Sequence, residues 1–481
     1  MSTACIELVQ NSRMIKDESQ LDYAKYIVSA FADEVVNGKF GEIVDCENLI
    51  IPLQRRIAEI DQILTDQVNE ILHHPEFQKL EASWLGLHKF VCNTETGKTL
   101  KLKLLSADKN ELLKDIEKAL DFDQSALFKK VYEEEYGTFG GDPFSLLIGD
   151  YYFSKSPKDI ALLEGISHVA AAAHAPFISS CNPNLFEMDC FTEMPNPRDL
   201  VSLFETSGFL SWNSFRNNED SKYVTLTLPR VMQRLPYGKG YLEVDEFNFE
   251  ESMNGSDHTK YLWGNPAYVL GNRITSAFTK YSWCAAIRGV EGGGLVDNLP
   301  VYTYISPAGD KEIKCPTEII ITDRREKELS DLGFIALCYR KNSNQSVFFG
   351  GQTVAKVKEY EDPVATANAN IALQLPYILA ASRFAHYLKV IMRDKIGSFT
   401  SLGEISIFLN NWISHYVLLN DFASQSVKAS YPLREARIDV YEIPGKPGCY
   451  RSVCFLRPHY QLNELTVSIR FVSELPPPAA G

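Results

Sequence analysis

Apolar residues recur at three- and four-residue steps in some stretches and at alternate positions in others, and this divides the chain into helices and strands. Leu53, Ile57, Ile60, Leu64, Val68 and Ile71 draw one stripe, which predicts a long helix from Leu49. His73-His74-Pro75 ends it, because the residue before a proline is pushed out of the helical region. Phe77, Leu80, Trp84, Leu87 and Val91 mark a second helix over 76–91, and the short connection predicts that the two pack together. Residues 1–45 are polar and weakly periodic, apart from an amphipathic piece at 23–36.

Leu100, Leu102 and Leu104 alternate as a strand, and helical pieces follow at 109–120 and 124–134. After the turn-rich 136–143, the run 144–149 reads as a buried strand, followed by a helix at 159–173 and a strand at 177–180. Strand and helix alternate here, so the expected class is mixed α/β (α+β). Residues 181–265 are rich in Asn, Pro, Gly and aromatics and read as loops with short elements. A helix is expected over 267–287 and strands over 299–305, 318–322, 333–339 and 346–350. The acidic 359–363 marks a lobe boundary, beyond which helices are expected at 375–396 and 402–422.

From Ala436 to Leu475 three strands follow one another and stop at Pro476-Pro477-Pro478. In the last, Leu465, Val467, Ile469 and Phe471 point one way while Thr466, Ser468 and Arg470 point the other. A strand at the end of a chain leaves an edge to be covered, and another chain's strand is one cover. Self-assembly is therefore expected ahead of catalysis.

With 481 residues the chain exceeds one ordinary core, so two or three lobes are expected. A net charge of −14 argues against a nucleic-acid backbone or an anionic membrane as main partner. The ten cysteines form no C-x-x-C, the N-terminus has no signal-peptide pattern, and no apolar run reaches the roughly 20 residues of a membrane span. A reducing, cytoplasmic setting follows as the expectation, with the cysteines as small core residues.

Several motifs invite chemistry. Thr96-Gly-Lys-Thr99 resembles the end of a phosphate-binding loop, but Cys92 stands where its first glycine belongs and a strand pattern follows, so a hairpin turn is expected. Gly238-Lys-Gly240 lacks the third glycine of a dinucleotide fingerprint, having Glu243 there. Gly292-Gly-Gly294 reads either as an anion cradle or as a tight bend where chain segments approach. None of the nine histidines is followed by Glu, and no His/Cys cluster has zinc-ligand spacing, so no metal is expected. His386 and His415 read as core residues within apolar helices. The absence of a G-x-S-x-G elbow and of a distinctive carboxylate pair leaves catalytic and cofactor residues unassigned. Asp323, Arg324, Arg325, Glu326 and Asp331 lie in a block of mixed charge that reads as a solvated loop or as an intersubunit ion-pair surface. Glu404 and Asp421 flank apolar Ile405, Phe408, Ile413 and Val417, a face suited either to an inner tube or to the core.

Longer segments resemble the large subunit of the type VI secretion contractile sheath. They include Ile71-Leu-His-His-Pro-Glu-Phe-Gln-Lys-Leu-Glu81, Leu127-Phe-Lys-Lys-Val-Tyr-Glu-Glu-Glu-Tyr-Gly-Thr-Phe-Gly-Gly141 and Trp283-Cys-Ala-Ala-Ile-Arg-Gly-Val-Glu-Gly-Gly-Gly294. Thr322-Asp-Arg-Arg-Glu-Lys-Glu-Leu329, Phe348-Phe-Gly-Gly-Gln-Thr353, the run from Leu375 to Leu388 and Phe455-Leu-Arg-Pro-His459 are similar as well. The resemblance spans about 60–475 and implies a structural, non-enzymatic part. It implies pairing with a small sheath subunit and stacking with further copies as a helical tube around an inner tube on a baseplate. It also implies contraction, and recycling by a AAA+ ring ATPase mainly through the small subunit. Three parts are expected: an arm or linker at 1–60, an outer mixed α/β lobe at 61–365, and a C-terminal sheath domain at 366–481. In that last part Leu465, Val467, Ile469 and Phe471 would exchange strands with neighbours. A static tail or tube scaffold, or more remotely a cytoplasmic enzyme using the Gly-rich turns, is the alternative.

Overall fold

The computed structural model describes residues 20–36, 50–196, 199–245, 247–253, 255, 257–306, 309–398, 401–420, 422–444, 450–459 and 461. It divides into two compact units, one of 1–77 with 236–253 and one of 78–235 with 254–481.

The first unit contains α1 (Leu21–Val36) and α2 (Ile50–Leu72), the two amphipathic stretches read from the sequence. Near the end of α2, buried Asn69 accepts from Ser252 N at 2.9 Å and donates to Glu250 O at 3.4 Å. In the same unit Gly238 and Gly240 take positive φ in a tight loop. The Gly238 amide bonds Leu242 O and the Gly240 amide bonds the Glu243 carboxylate. The partial dinucleotide fingerprint is thus a loop whose glycine amides are engaged by the chain itself.

α3 (Pro75–Cys92) belongs mostly to the second unit, so the two helices expected to pair fall in different units. After α4 (Lys109–Lys118) and a π-helical segment at Lys129–Gly137, a six-stranded sheet is built around β1 (Leu147–Phe153), β2 (Phe177–Cys181) and β3 (Val224–Leu228). Short β4 (Val231–Met232) pairs with β5 (Trp263–Gly264), β6 is Leu295–Val296, and β7 (Tyr302–Ile305) pairs with β8 (Lys311–Lys314). β9 (Phe334–Tyr339) and β10 (Ser346–Phe348) complete the sheet in the order β1-β2-β3-β9-β10-β6. The first four strands run parallel, and β10 and β6 add an antiparallel edge.

Parallel sheets are covered on both faces, so their strands read as nearly unbroken apolar runs. β9 shows the division: Phe334, Ala336 and Cys338 enter one core, Ile335 and Leu337 the other. α5 (Pro157–Ala173) covers the first face, capped at its start by Ser156 and ended by left-handed His174. α6 (Pro266–Tyr281) covers the second, capped by Asn265, and it stops earlier than the sequence pattern implies because Ser282 takes a left-handed conformation.

Several expectations need correction. Leu100–Leu104 forms no strand among the described residues. Lys101 and Lys103 instead bond Asp142 and Glu135, while Leu104 stays exposed, and the expected hairpin is absent. Residues 318–322 form no strand either: Ile319 and Ile321 are buried, but only Thr317 bridges to Val231 before the chain turns into a helix. That helix is α7 (Asp323–Asp331), which replaces the expected charged loop. The region read as loops with short elements supplies β3, a short strand that lies at the centre of the sheet.

The C-terminal part comprises α8 (Pro363–Ala372), α9 (Leu375–Asp394), α10 (Leu402–Ser414), and a hairpin of β11 (Leu433–Glu442) with β12 (Tyr450–Pro458). α10 ends well before residue 422, and His415, expected in the core, is exposed at its end with Nδ1 on Asn411 O. Phe384, Leu409, Ile413, Leu433, Ile438 and Val440 form this part's own core around Trp283.

Candidate functional site

α9 makes long-range contacts with several segments that the sequence singled out. Its start is fixed by backbone pairing. Leu375 N donates to Gly351 O at 2.7 Å, and Thr353 N and Oγ1 both donate to Leu373 O. Arg288 clamps the same place, with Nη1 on Gln374 Oε1 at 2.8 Å and Nε on Phe349 O at 2.9 Å. This closeness explains the glycines. A Cβ on Gly351 would lie 2.7 Å from Arg288 Cδ, and one on Gly294 would lie 2.6 Å from Phe348 O. Gly289 and Gly293 have φ of 69° and 92°. The amides of Gly289 and Gly294 are spent on Phe348 O and Gly289 O. Of the two readings of this run, the tight bend is the one observed.

Further along α9, His386 is buried and its Nε2 lies 2.8 Å from Ala173 O, at the end of α5. Burial pushes the imidazole pKa down to about 4, a drop that the Ala173 contact only partly offsets. The Lys389 ammonium sits over the Tyr136 ring at 3.3 Å. Arg393 then donates to the carbonyls of Thr138, Tyr136 and Gly137 at 3.0, 3.2 and 3.3 Å. These carbonyls end the π-helical segment, where helical partners run out and a cation is favoured. On the opposite side Phe384 stacks on Trp283 at 4.5 Å, with Trp412 and Tyr416 edge-on. Tyr377 OH donates to His459 O at 3.0 Å, and Gln461 Nε2 reaches Ala285 O at the same distance. α9 thus bonds to the sheet-bearing part at its start, middle and end, and packs on the C-terminal hairpin through Phe384.

The charged block lies on α7. Arg324 and Arg325 both reach Glu328, at 3.2 and 2.7 Å, and Arg325 also donates to Asn196 O. Glu326 is half-buried, and burial raises its pKa despite Arg288 nearby. Asp323, Arg324 and Asp331 are exposed. Glu404 is the third residue of α10 and forms a reciprocal capping box with Ser401. Asp421 and the strand residues Leu465, Val467, Ile469 and Phe471 lie outside the described residues.

One group of metal-type donors was not visible in the sequence. Cys190, His258 and Glu318 place ligand atoms within 4.8 Å of one another. Sixty-eight and sixty residues separate neighbours, so no spacing motif could have revealed them. Glu318 is buried and its two oxygens accept from Arg230 Nη2 and Nε at 2.6 and 2.7 Å. Burial alone would raise its pKa, but the hydrogen bonds from Arg230 and His258 outweigh burial and hold the carboxyl well below the usual range.

Residues 54–355 match the family model described as EvpB/VC_A0108, tail sheath N-terminal domain (VipB). Residues 364–475 match the one described as EvpB/VC_A0108, tail sheath gpW/gp25-like domain. The chain is 50% identical over 423 residues to the type VI secretion system sheath protein TssC1 of Pseudomonas aeruginosa strain PAO1, which covers 87% of this chain and 85% of that protein. Among solved structures, the contracted sheath complex of the extracellular contractile injection system PVC is similar over 64% of this chain and 68% of its own, at 8% identity and TM-score 0.36. The six-fold symmetrised baseplate of the anti-feeding prophage is similar over 79% and 84%, at 9% identity and TM-score 0.37. The two family models and the half-identical relative span most of the chain, and it belongs to the type VI secretion contractile sheath family as a large, structural sheath subunit.

Proposed function

We propose that the chain pairs with a small sheath subunit, stacks with further copies around an inner tube on a baseplate, and drives the tube outward by repacking. The observation that carries this is the β11–β12 hairpin. Among the described residues it forms a two-stranded sheet, with only the Val417–Leu433 bridge beyond its own pairing. The hairpin packs on α10, so it is held on one face, but among the described residues the outer edge of β12 pairs with no strand and leaves ladder groups that another strand can cover. The alternating Leu465, Val467, Ile469 and Phe471 supply such a strand, exchanged between neighbouring subunits.

The parts at 1–60, 61–365 and 366–481 act as arm, outer lobe and inner sheath domain. Exposed Asp323, Arg324 and Asp331 contribute to a charged contact between subunits, while Arg325 and Glu326 are held within the chain. The setting is cytoplasmic, and a AAA+ ATPase recycles the contracted sheath through the small subunit. Among the described residues no helix is long and apolar enough to cross a membrane. Non-closing contacts between copies generate helical tubes, and the work of contraction comes from packing, with no nucleotide site required in this chain.

Electron microscopy of the chain co-expressed with a small-subunit partner tests this. Striated hollow tubes are expected. Val467→Pro or Ile469→Pro removes a ladder N–H and should abolish tubes while circular dichroism stays that of the folded protein. Normal tubes from either variant would refute strand exchange through this segment.

A further inference from the structure

We propose that Cys190, His258 and Glu318 form a binding site for a zinc-class divalent cation. The three donors come from separate segments: Cys190 caps a 3-10 turn, His258 opens another, and Glu318 follows β8 just before α7. Their distances suit one ion. Cys190 Sγ lies 3.3 Å and His258 Nε2 3.0 Å from Glu318 Oε1. Both contacts are hydrogen bonds to Glu318 Oε1, and a tetrahedral zinc, which sets ligand atoms about 3.3–3.6 Å apart, would replace them after a shift of a few tenths of an ångström. A thiolate with an imidazole and one carboxylate selects zinc or cobalt over magnesium or calcium, which demand oxygen ligands.

The surroundings resemble those of a metal centre. Arg230 holds the Glu318 carboxylate by two hydrogen bonds and fixes the orientation of its oxygens. Trp263 stacks on the His258 ring at 4.8 Å, and its Nε1 donates to His258 O at 2.9 Å. The imidazole is therefore held both at its face and through its backbone. Glu318 is 4% exposed, whereas Cys190 and His258 are half-buried and leave a route for an ion. Binding forms a metal–sulfur bond and releases the Cys190 thiol proton to water. A bound ion would staple three loops beside β3 and β4.

The test uses the full-length chain, stripped with EDTA and titrated with Zn²⁺ and with Co²⁺. One equivalent of Zn²⁺ should bind, and Co²⁺ should give a thiolate charge-transfer band in the near ultraviolet. Cys190→Ser should abolish that band, and His258→Ala should weaken Zn²⁺ binding by at least about tenfold. On the unmutated chain Zn²⁺ should protect Cys190 from alkylation, read by mass spectrometry, while exposed Cys92 labels as before. That arm decides the question even if the variants fold poorly. Equal labelling of Cys190 with and without Zn²⁺, or a cobalt band that survives in Cys190→Ser, overturns the site and leaves a purely hydrogen-bonded Arg230–Glu318–His258 network.

Discussion

Buried against Ala173, His386 has its pKa pushed down to about 4, while an unfolded histidine titrates near 6.5. Between those values the unfolded chain binds a proton that the folded chain refuses, so stability rises with pH across this window. The contribution is full above pH of about 6.5 and is lost as pH falls to about 4, with an upper size of about 3 kcal/mol. His174 beside it is also lowered by burial and acts with the same sign. Arg383, Lys389 and Tyr136 face the pair, and the two cations add to the lowering of His386. His386→Gln should therefore flatten the melting temperature against pH between 4 and 6.5, and an unchanged slope would assign that dependence elsewhere. Glu404 raises a different question at the same scale, since its capping box already explains an acid at that position. Glu404→Gln keeps the cap and removes the charge, so melting and tube assembly should both stay normal. Tubes lost at unchanged melting would instead show that this face meets another protein.

At the scale of elements, the reading of α5, β2, β9 and β10 from sequence was close because each has a strong period or an unbroken apolar run with clear ends. β3 was not legible. Its Val224-Thr-Leu-Thr-Leu228 lies within turn-rich sequence, and Thr225 and Thr227 are as buried as the leucines, with Thr227 Oγ1 bonded to Ser179 O. α7 hid for the opposite reason: Leu329 is its only buried residue, so there is almost no apolar stripe to see. The donors Cys190, His258 and Glu318 meet only in the fold, a meeting that a linear reading cannot supply. His258 precedes β5, which pairs with β4, Glu318 follows Thr317, which bridges to β4, and Cys190 comes from the loop after β2. In α9 the aromatic face was visible as apolar, but its partner Trp283 was not. Phe384→Ala removes the ring stacked at 4.5 Å on Trp283 and should cost about 3–5 kcal/mol. Chemical denaturation would read this as a loosening of the hairpin domain, and a loss under about 1 kcal/mol would mean that α9 does not hold it.

At the scale of the molecule, contacts made by one helix tie residues 375–461 to the sheet domain. Arg393, His386 and Gln374 make these contacts at the end, the middle and the start of α9. Among the described residues these bonds couple the C-terminal part to the sheet at several points, which suits a part working by repacking. The sheet has a further consequence, for how the chain is made. β3 pairs in parallel with β9, so one edge of the β1–β2–β3 trio waits for a strand that begins at Phe334. During synthesis that apolar, parallel edge stays open while the whole stretch from Leu228 to Phe334 leaves the ribosome. Production of soluble subunit should therefore depend on elongation rate and chaperone supply, and chains truncated before Phe334 should be lost to aggregates however well their earlier helices form.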